Sequence, residues 1–168
     1  MPARYLPASL VLLAAAATAI AAEPNAQEDI ALTAKQTSDA FAAAGFRKQK
    51  DGWHACDDPG TASYTPGAIE QIADLNGDGL PEAVISEGSG YCFGAAGQGY
   101  YLVSAQKDGS WKLMDFGEGM PRFLSTKGTD GWPDLEVGGP GFCFAVLRWD
   151  GQQYVQNRYQ YEGKACLP

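Results

Sequence analysis

The stretch Asp74-Leu75-Asn76-Gly77-Asp78-Gly79-Leu80-Pro81-Glu82 sets oxygen-bearing side chains at alternate positions, then a glycine, then a further acid. When a chain turns tightly, side chains at loop positions 1, 3 and 5, here Asp74, Asn76 and Asp78, point into one concavity. Gly79 permits the turn, Leu80 offers its backbone carbonyl and Glu82 completes the set. Hard oxygens in this arrangement suit calcium, which takes roughly six to eight of them at about 2.3–2.6 Å. Position 12, where an EF-hand needs a bidentate Glu, is Ile85, so the loop is not an EF-hand. The competing reading is a plain polar turn, since Asn-Gly and Asp-Gly form turns widely. Four oxygen side chains this close repel one another without a cation, and that favours the metal.

Other chemistry has thin support. His54 is the only histidine, which rules out a histidine metal site, and the sequence gives it no base or ligand partner. A carboxylate pair for glycoside hydrolysis could draw on Asp57, Asp58, Glu87, Glu118 or Glu136, and nothing selects two of them. The Gly-rich segment 88–100 lacks the strand-to-helix setting of a phosphate loop. Enzyme activity is therefore uncertain and the weaker expectation.

The elements that must position the loop follow from periodicity and turns. Residues 27–44 are rich in good helix formers with a modest apolar stripe, and Gly45 stops them, so one N-terminal helix is predicted there. Beyond it, Asp51-Gly52, Asp108-Gly109 and Asp150-Gly151 each separate strand-like runs, predicting three hairpins with type I′ turns. Between them the chain repeats. Asp78, Gly79, Pro81 and Glu82 align with Asp130, Gly131, Pro133 and Asp134, and Gly90-Tyr91-Cys92-Phe93 with Gly141-Phe142-Cys143-Phe144.

The run Ile72 to Ser86 resembles the calcium loop of FG-GAP or VCBS-type repeats, where such a loop leads into a strand of a β blade. The resemblance implies a structural, non-catalytic ion held by Asp74, Asn76, Asp78 and, as the final acid, Glu82. In the second copy the ligand positions hold Thr126, Gly128, Asp130 and Asp134, so no metal is expected there, and Asp130 is expected to make an Asx-type turn. The fold class is then mainly β with one N-terminal helix. It comprises two blade-like repeats, about 69–116 and 121–161, plus an extra hairpin, in a small propeller-like or sandwich domain.

Residues 1–21 combine an early arginine, an apolar run and the small-x-small pattern Ala19-Ile20-Ala21, which predicts a signal peptide ahead of a single domain at 22–168. The expected location is secreted or periplasmic, without membrane insertion. Loss of Arg4 with that segment takes the formal charge from −8 to −9, which argues against nucleic acid. In an exported chain the four cysteines Cys56, Cys92, Cys143 and Cys166 read as two disulfides, with three connectivities open. Equivalence of Cys92 and Cys143 in the repeat favours Cys56–Cys92 with Cys143–Cys166. The expected function is a calcium-stabilised binding module for a protein or glycan. The alternatives are an acidic inhibitor of a basic extracytoplasmic enzyme and a small hydrolase using carboxylates.

Overall fold

The computed structural model describes residues 30–168. The expected signal peptide lies outside the described residues. The helix α1 spans Ala34–Ala43, later than the sequence reading placed it, and residues 30–32 are not helical. Thr33 is the cause. Its hydroxyl accepts from the Gln36 N–H while the Gln36 side chain accepts from the Thr33 N–H, and this capping box needs an extended Thr33. At the other end Gly45 adopts φ +86°, and the bonds Phe46 N–H to Phe41 O and Gly45 N–H to Ala42 O close a Schellman motif.

Two antiparallel sheets follow in chain order. The first contains β1 (Arg47–Lys48), β2 (Trp53–His54), β3 (Thr65–Ala73), β4 (Glu82–Gly88), β5 (Gln98–Ala105) and β6 (Trp111–Glu118). The second contains β7 (Met120–Lys127), β8 (Pro133–Gly138), β9 (Phe144–Trp149), β10 (Tyr154–Tyr161) and β11 (Lys164–Ala165). Every strand pairs with its neighbours in sequence, so both sheets are meanders. The protein is mainly β with one helix, as its turn-rich, aromatic sequence predicts.

Strands β4 and β5 are buried on both faces. Ala83, Ile85 and Val103 pack with Phe41 and Phe46 beneath α1, and Phe41 stacks on Trp53 at 4.7 Å. The alternate residues Val84, Tyr100 and Leu102 face the other way, onto Trp132, Leu135, Trp149 and Tyr154 of the second sheet. The layers are therefore helix, first sheet, second sheet. Each such large apolar side chain contributes about 1.5–3 kcal/mol on burial.

The repeat survives in the strand registers. Val84 lies opposite Leu102, and Leu102 opposite Asp115; Glu136 lies opposite Val146, and Val146 opposite Arg158. The face that buries Val84 and Leu102 between the sheets is thus, in the second sheet, the outer face. Leu135 and Leu147, one residue displaced, point inward instead, and the period of two makes that displacement a change of face. The two sheets stack head to tail.

The three Asp-Gly turns join β1 to β2, β5 to β6 and β9 to β10, but they are not type I′. Gly109 and Gly151 are left-handed while Asp108 and Asp150 are not. The aspartates instead accept backbone bonds, Asp108 from Ser110 N–H and Asp150 from Gln152 and Gln153 N–H, and keep out of the positive-φ region. Asp130 also departs from its expected Asx turn. It adopts φ +53° beside Gly131, whose position has no room for a Cβ against the Asn76 carbonyl. The disulfides are Cys56–Cys92 and Cys143–Cys166, the symmetric pairing.

Candidate metal loop and its counterpart

The loop from Asp74 to Pro81 joins β3 to β4. Asp74 Oδ1 accepts from Gly77 N–H at 2.8 Å and Asp78 N–H at 3.1 Å, and its Oδ2 from Gly79 N–H at 2.9 Å. Asn76 Oδ1 accepts from Asp78 N–H, Asn76 Nδ2 donates to Asp78 Oδ2, and Asp78 Oδ1 accepts from Leu80 N–H. Asp74, Asn76 and Asp78 are therefore brought together at the surface by the loop's own amides. Glu82 is apart from them. It opens β4, is 1% exposed, and accepts from Leu75 N–H at 2.7 Å and Ser104 Oγ at 2.8 Å. Burial pushes its carboxyl up to about 7, against the opposing pull of those two hydrogen bonds.

Among the described residues no three acids, cysteines or histidines stand close enough together to hold a metal ion. Asp74, Asn76, Asp78, the Leu80 carbonyl and Glu82 all offer the hard oxygen that a hard cation takes, but in this structure the three acids among them do not converge on one point. Glu82 also has no cationic side chain bonded to it among the described residues.

The matching place in the second sheet is built differently. Asp134 is 0% exposed and sits where the repeat places Glu82. It receives Arg148 through Nε and Nη2, both at 2.8 Å, Arg158 through Nη1 at 2.7 Å and the Thr126 hydroxyl at 2.6 Å. Arg148 stands where Ser104 stands in the first copy, and Thr126 where Asp74 does. Hydrogen bonds from Arg148 hold the Asp134 carboxyl well below the usual range against the effect of burial, helped by Thr126 and Arg158. Its neighbour Glu136 takes Arg122 and Gln160. Guanidiniums here do what a bound cation would do in the first copy.

Compared with family models, curated proteins and solved structures, the chain matches none.

Of the other carboxylates weighed in the sequence, Glu87 and Asp58 hold backbone. Buried Glu87 accepts from Ala55 N–H, Cys56 N–H and Tyr64 OH, fixing the Cys56 segment onto β4. Asp58 accepts from Gly60 and Thr61 N–H and from the Thr61 and Ser89 hydroxyls, which bring its carboxyl down to about 2 despite the cost of desolvation. Asp57 pairs with exposed Arg47. His54 does have a partner that the sequence reading missed. The β1–β2 hairpin folds Asp51 back to 2.9 Å from its Nε2, and the ring lies 4.9 Å from Tyr64.

The aromatics divide. Tyr100, Trp132, Trp149 and Tyr154 are core. Phe142 is 79% exposed and meets Tyr161 edge-on at 6.2 Å, with Phe144 6.0 Å from the same ring, beside the Cys143–Cys166 bridge. Among the described residues no helix is long and apolar enough to cross a membrane.

Proposed function

We propose that this is a secreted or periplasmic β-repeat domain, similar to FG-GAP or VCBS repeats, stabilised by calcium and acting as a non-catalytic recognition module. One observation carries the calcium reading. Glu82 is a buried carboxylate without a cationic partner among the described residues, while its repeat equivalent, Asp134, has two. An uncompensated buried carboxylate is costly, and a cation beside the loop above it removes the cost. Asp74, Asn76, Asp78, the Leu80 carbonyl and Glu82 would hold that ion, with Asp74 and Asp78 exchanging some loop amide bonds for it. The two disulfides support an oxidising compartment. The use of Asp58, Glu87, Asp134 and Glu136 as structural anchors supports a non-catalytic role, and the exposed Phe142–Tyr161 pair supports recognition of a protein or glycan.

Melting curves in calcium and in chelator test this. Extracellular calcium modules bind at about 0.1–1 mM. At the tight end, about 1 mM calcium adds roughly 1.4 kcal/mol, or about 3–8 °C for a domain of this size. Asp74→Ala and Asp78→Ala should abolish the rise, and magnesium should give much less of it. Coincident curves for the unmutated protein would reduce the loop to a turn.

A further inference from the structure

The outer face of the second sheet is anomalous for so acidic a chain. Arg122, Arg148 and Arg158 stand there paired with two carboxylates, Asp134 and Glu136, both buried beneath them. The formal charge of the whole chain is −8, yet this face carries an excess of cations. At one end of it a cavity of about 470 Å³ is lined by Lys127, Thr129, Arg148, Asp150 and Asn157, among others. This is an open depression, and several donors of its lining have capacity unspent. Arg148 uses Nε and Nη2 on Asp134, and its Nη1 has no bond among the described residues. Lys127 makes no ion pair, and the Thr129 hydroxyl and Asn157 Nδ2 have no partner, among those same residues. Asp150, the carboxylate in the lining, already spends one oxygen on Gln152 and Gln153 N–H.

We propose that this cavity binds the oxyanion group of an acidic ligand, a sulfate or a carboxylate, through Lys127, the free edge of Arg148, Thr129 and Asn157. Asp134 then has two roles. It is neutralised by Arg148, and it holds that guanidinium in one orientation so that the remaining edge is aimed outward at no further ordering cost. A planar fork with one side already fixed suits an oxygen pair better than a free lysine would. The inference does not depend on whether the Asp74 loop holds an ion.

Amide correlation spectra of the full chain in chelator, with sodium sulfate or sodium acetate replacing chloride at fixed ionic strength, test it. Saturable shifts at Lys127, Gly128, Thr129 and Asn157 are expected, half complete in the millimolar range. Lys127→Gln and Asn157→Ala should each weaken binding by about threefold, the size of one exposed polar contact. Lys107→Gln, in the β5–β6 turn, should leave it unchanged. Stronger shifts with sulfate identify a tetrahedral group as the natural ligand, and stronger shifts with acetate a carboxylate. Shifts that never saturate, or binding that is unchanged in Lys127→Gln, would overturn the assignment.

Discussion

Glu82 opens β4 and Asp134 is the second residue of β8, and the repeat places them at the same point in their sheets. Both are buried, and both sit at the foot of an Asp-Gly turn. Their partners differ in one respect. Asp134 is met by Arg148, Arg158 and Thr126, all supplied by the second sheet itself, whereas Glu82 is met by an amide and a hydroxyl, both neutral. A guanidinium carried on a neighbouring strand makes neutralisation unconditional, at the expense of side-chain entropy when the long chain is ordered. A cation drawn from solvent costs no side-chain ordering but makes stability depend on its concentration. On the proposed calcium reading the molecule contains one copy of each solution, so its two halves should respond differently to the same perturbation.

The sharpest break of this comparison is Arg148→Met with Arg158→Met, which leaves Asp134 buried without a cation, as Glu82 is. Removing the partners of a buried charge costs about 3 kcal/mol or more. Near this chain length that lowers the melting temperature by roughly 10 °C. Calorimetry of the double variant decides it. A loss under about 1 kcal/mol, the range of ordinary surface pairs, would mean that the guanidiniums do not act as the cation of the second copy.

Acid should weaken the second copy in a defined window. The Asp134 carboxyl is depressed in the folded state, so its contribution is fully present above the unfolded value, 3.8, and is lost as pH falls toward the folded one. Urea midpoints of the unmutated protein and of Asp134→Asn should differ widely at neutral pH. The gap should shrink by about 1 kcal/mol by about pH 3, and keep shrinking below that. A gap that stays constant over this range would show that the pairing with Arg148 contributes nothing to folding.

Much of the scaffold was legible because its signals are local. Asp51-Gly52, Asp108-Gly109 and Asp150-Gly151 mark reversals wherever they stand between β-rich runs, so the three hairpins could be read. The symmetric cysteine pairing followed from one motif occurring twice. The onset of the helix was also local, in the capping pair Thr33 and Gln36, but good helix formers upstream obscured it. The Arg148–Asp134–Arg158 cluster was not legible, because it needs the registers of three strands at once. The irregularity in β10 between Gln156 and Arg158 is what brings Arg158 opposite Val146, on the face of Asp134, and no residue pattern announces it. Asp51 reaching His54 likewise depends on how a short hairpin folds over. Glu82 was legible as an acid in a loop but not as a buried one, since burial comes from β5 and the second sheet.

The smallest effect is the most discriminating, because it carries opposite signs in the two copies. Glu82→Gln replaces a buried carboxylate by an amide of the same shape. Its oxygen can accept from Leu75 N–H, and its NH2 can donate to the Ser104 hydroxyl, which is free to turn. In chelator the substitution removes a charge that has no cation, so stability should hold or rise by about 1 kcal/mol. The same change at Asp134 removes the acid that two arginines share, and should destabilise. Calcium then separates the copies further. Glu82→Gln should erase the rise in melting temperature, because the ion loses its buried anionic ligand, while Asp134→Asn should keep the full rise from a lower starting point. Four melting curves, two variants with calcium and with chelator, contain the whole comparison. If Glu82→Gln destabilises as Asp134→Asn does and keeps its calcium response, the two acids are equivalent and the first copy neutralises its acid without an ion.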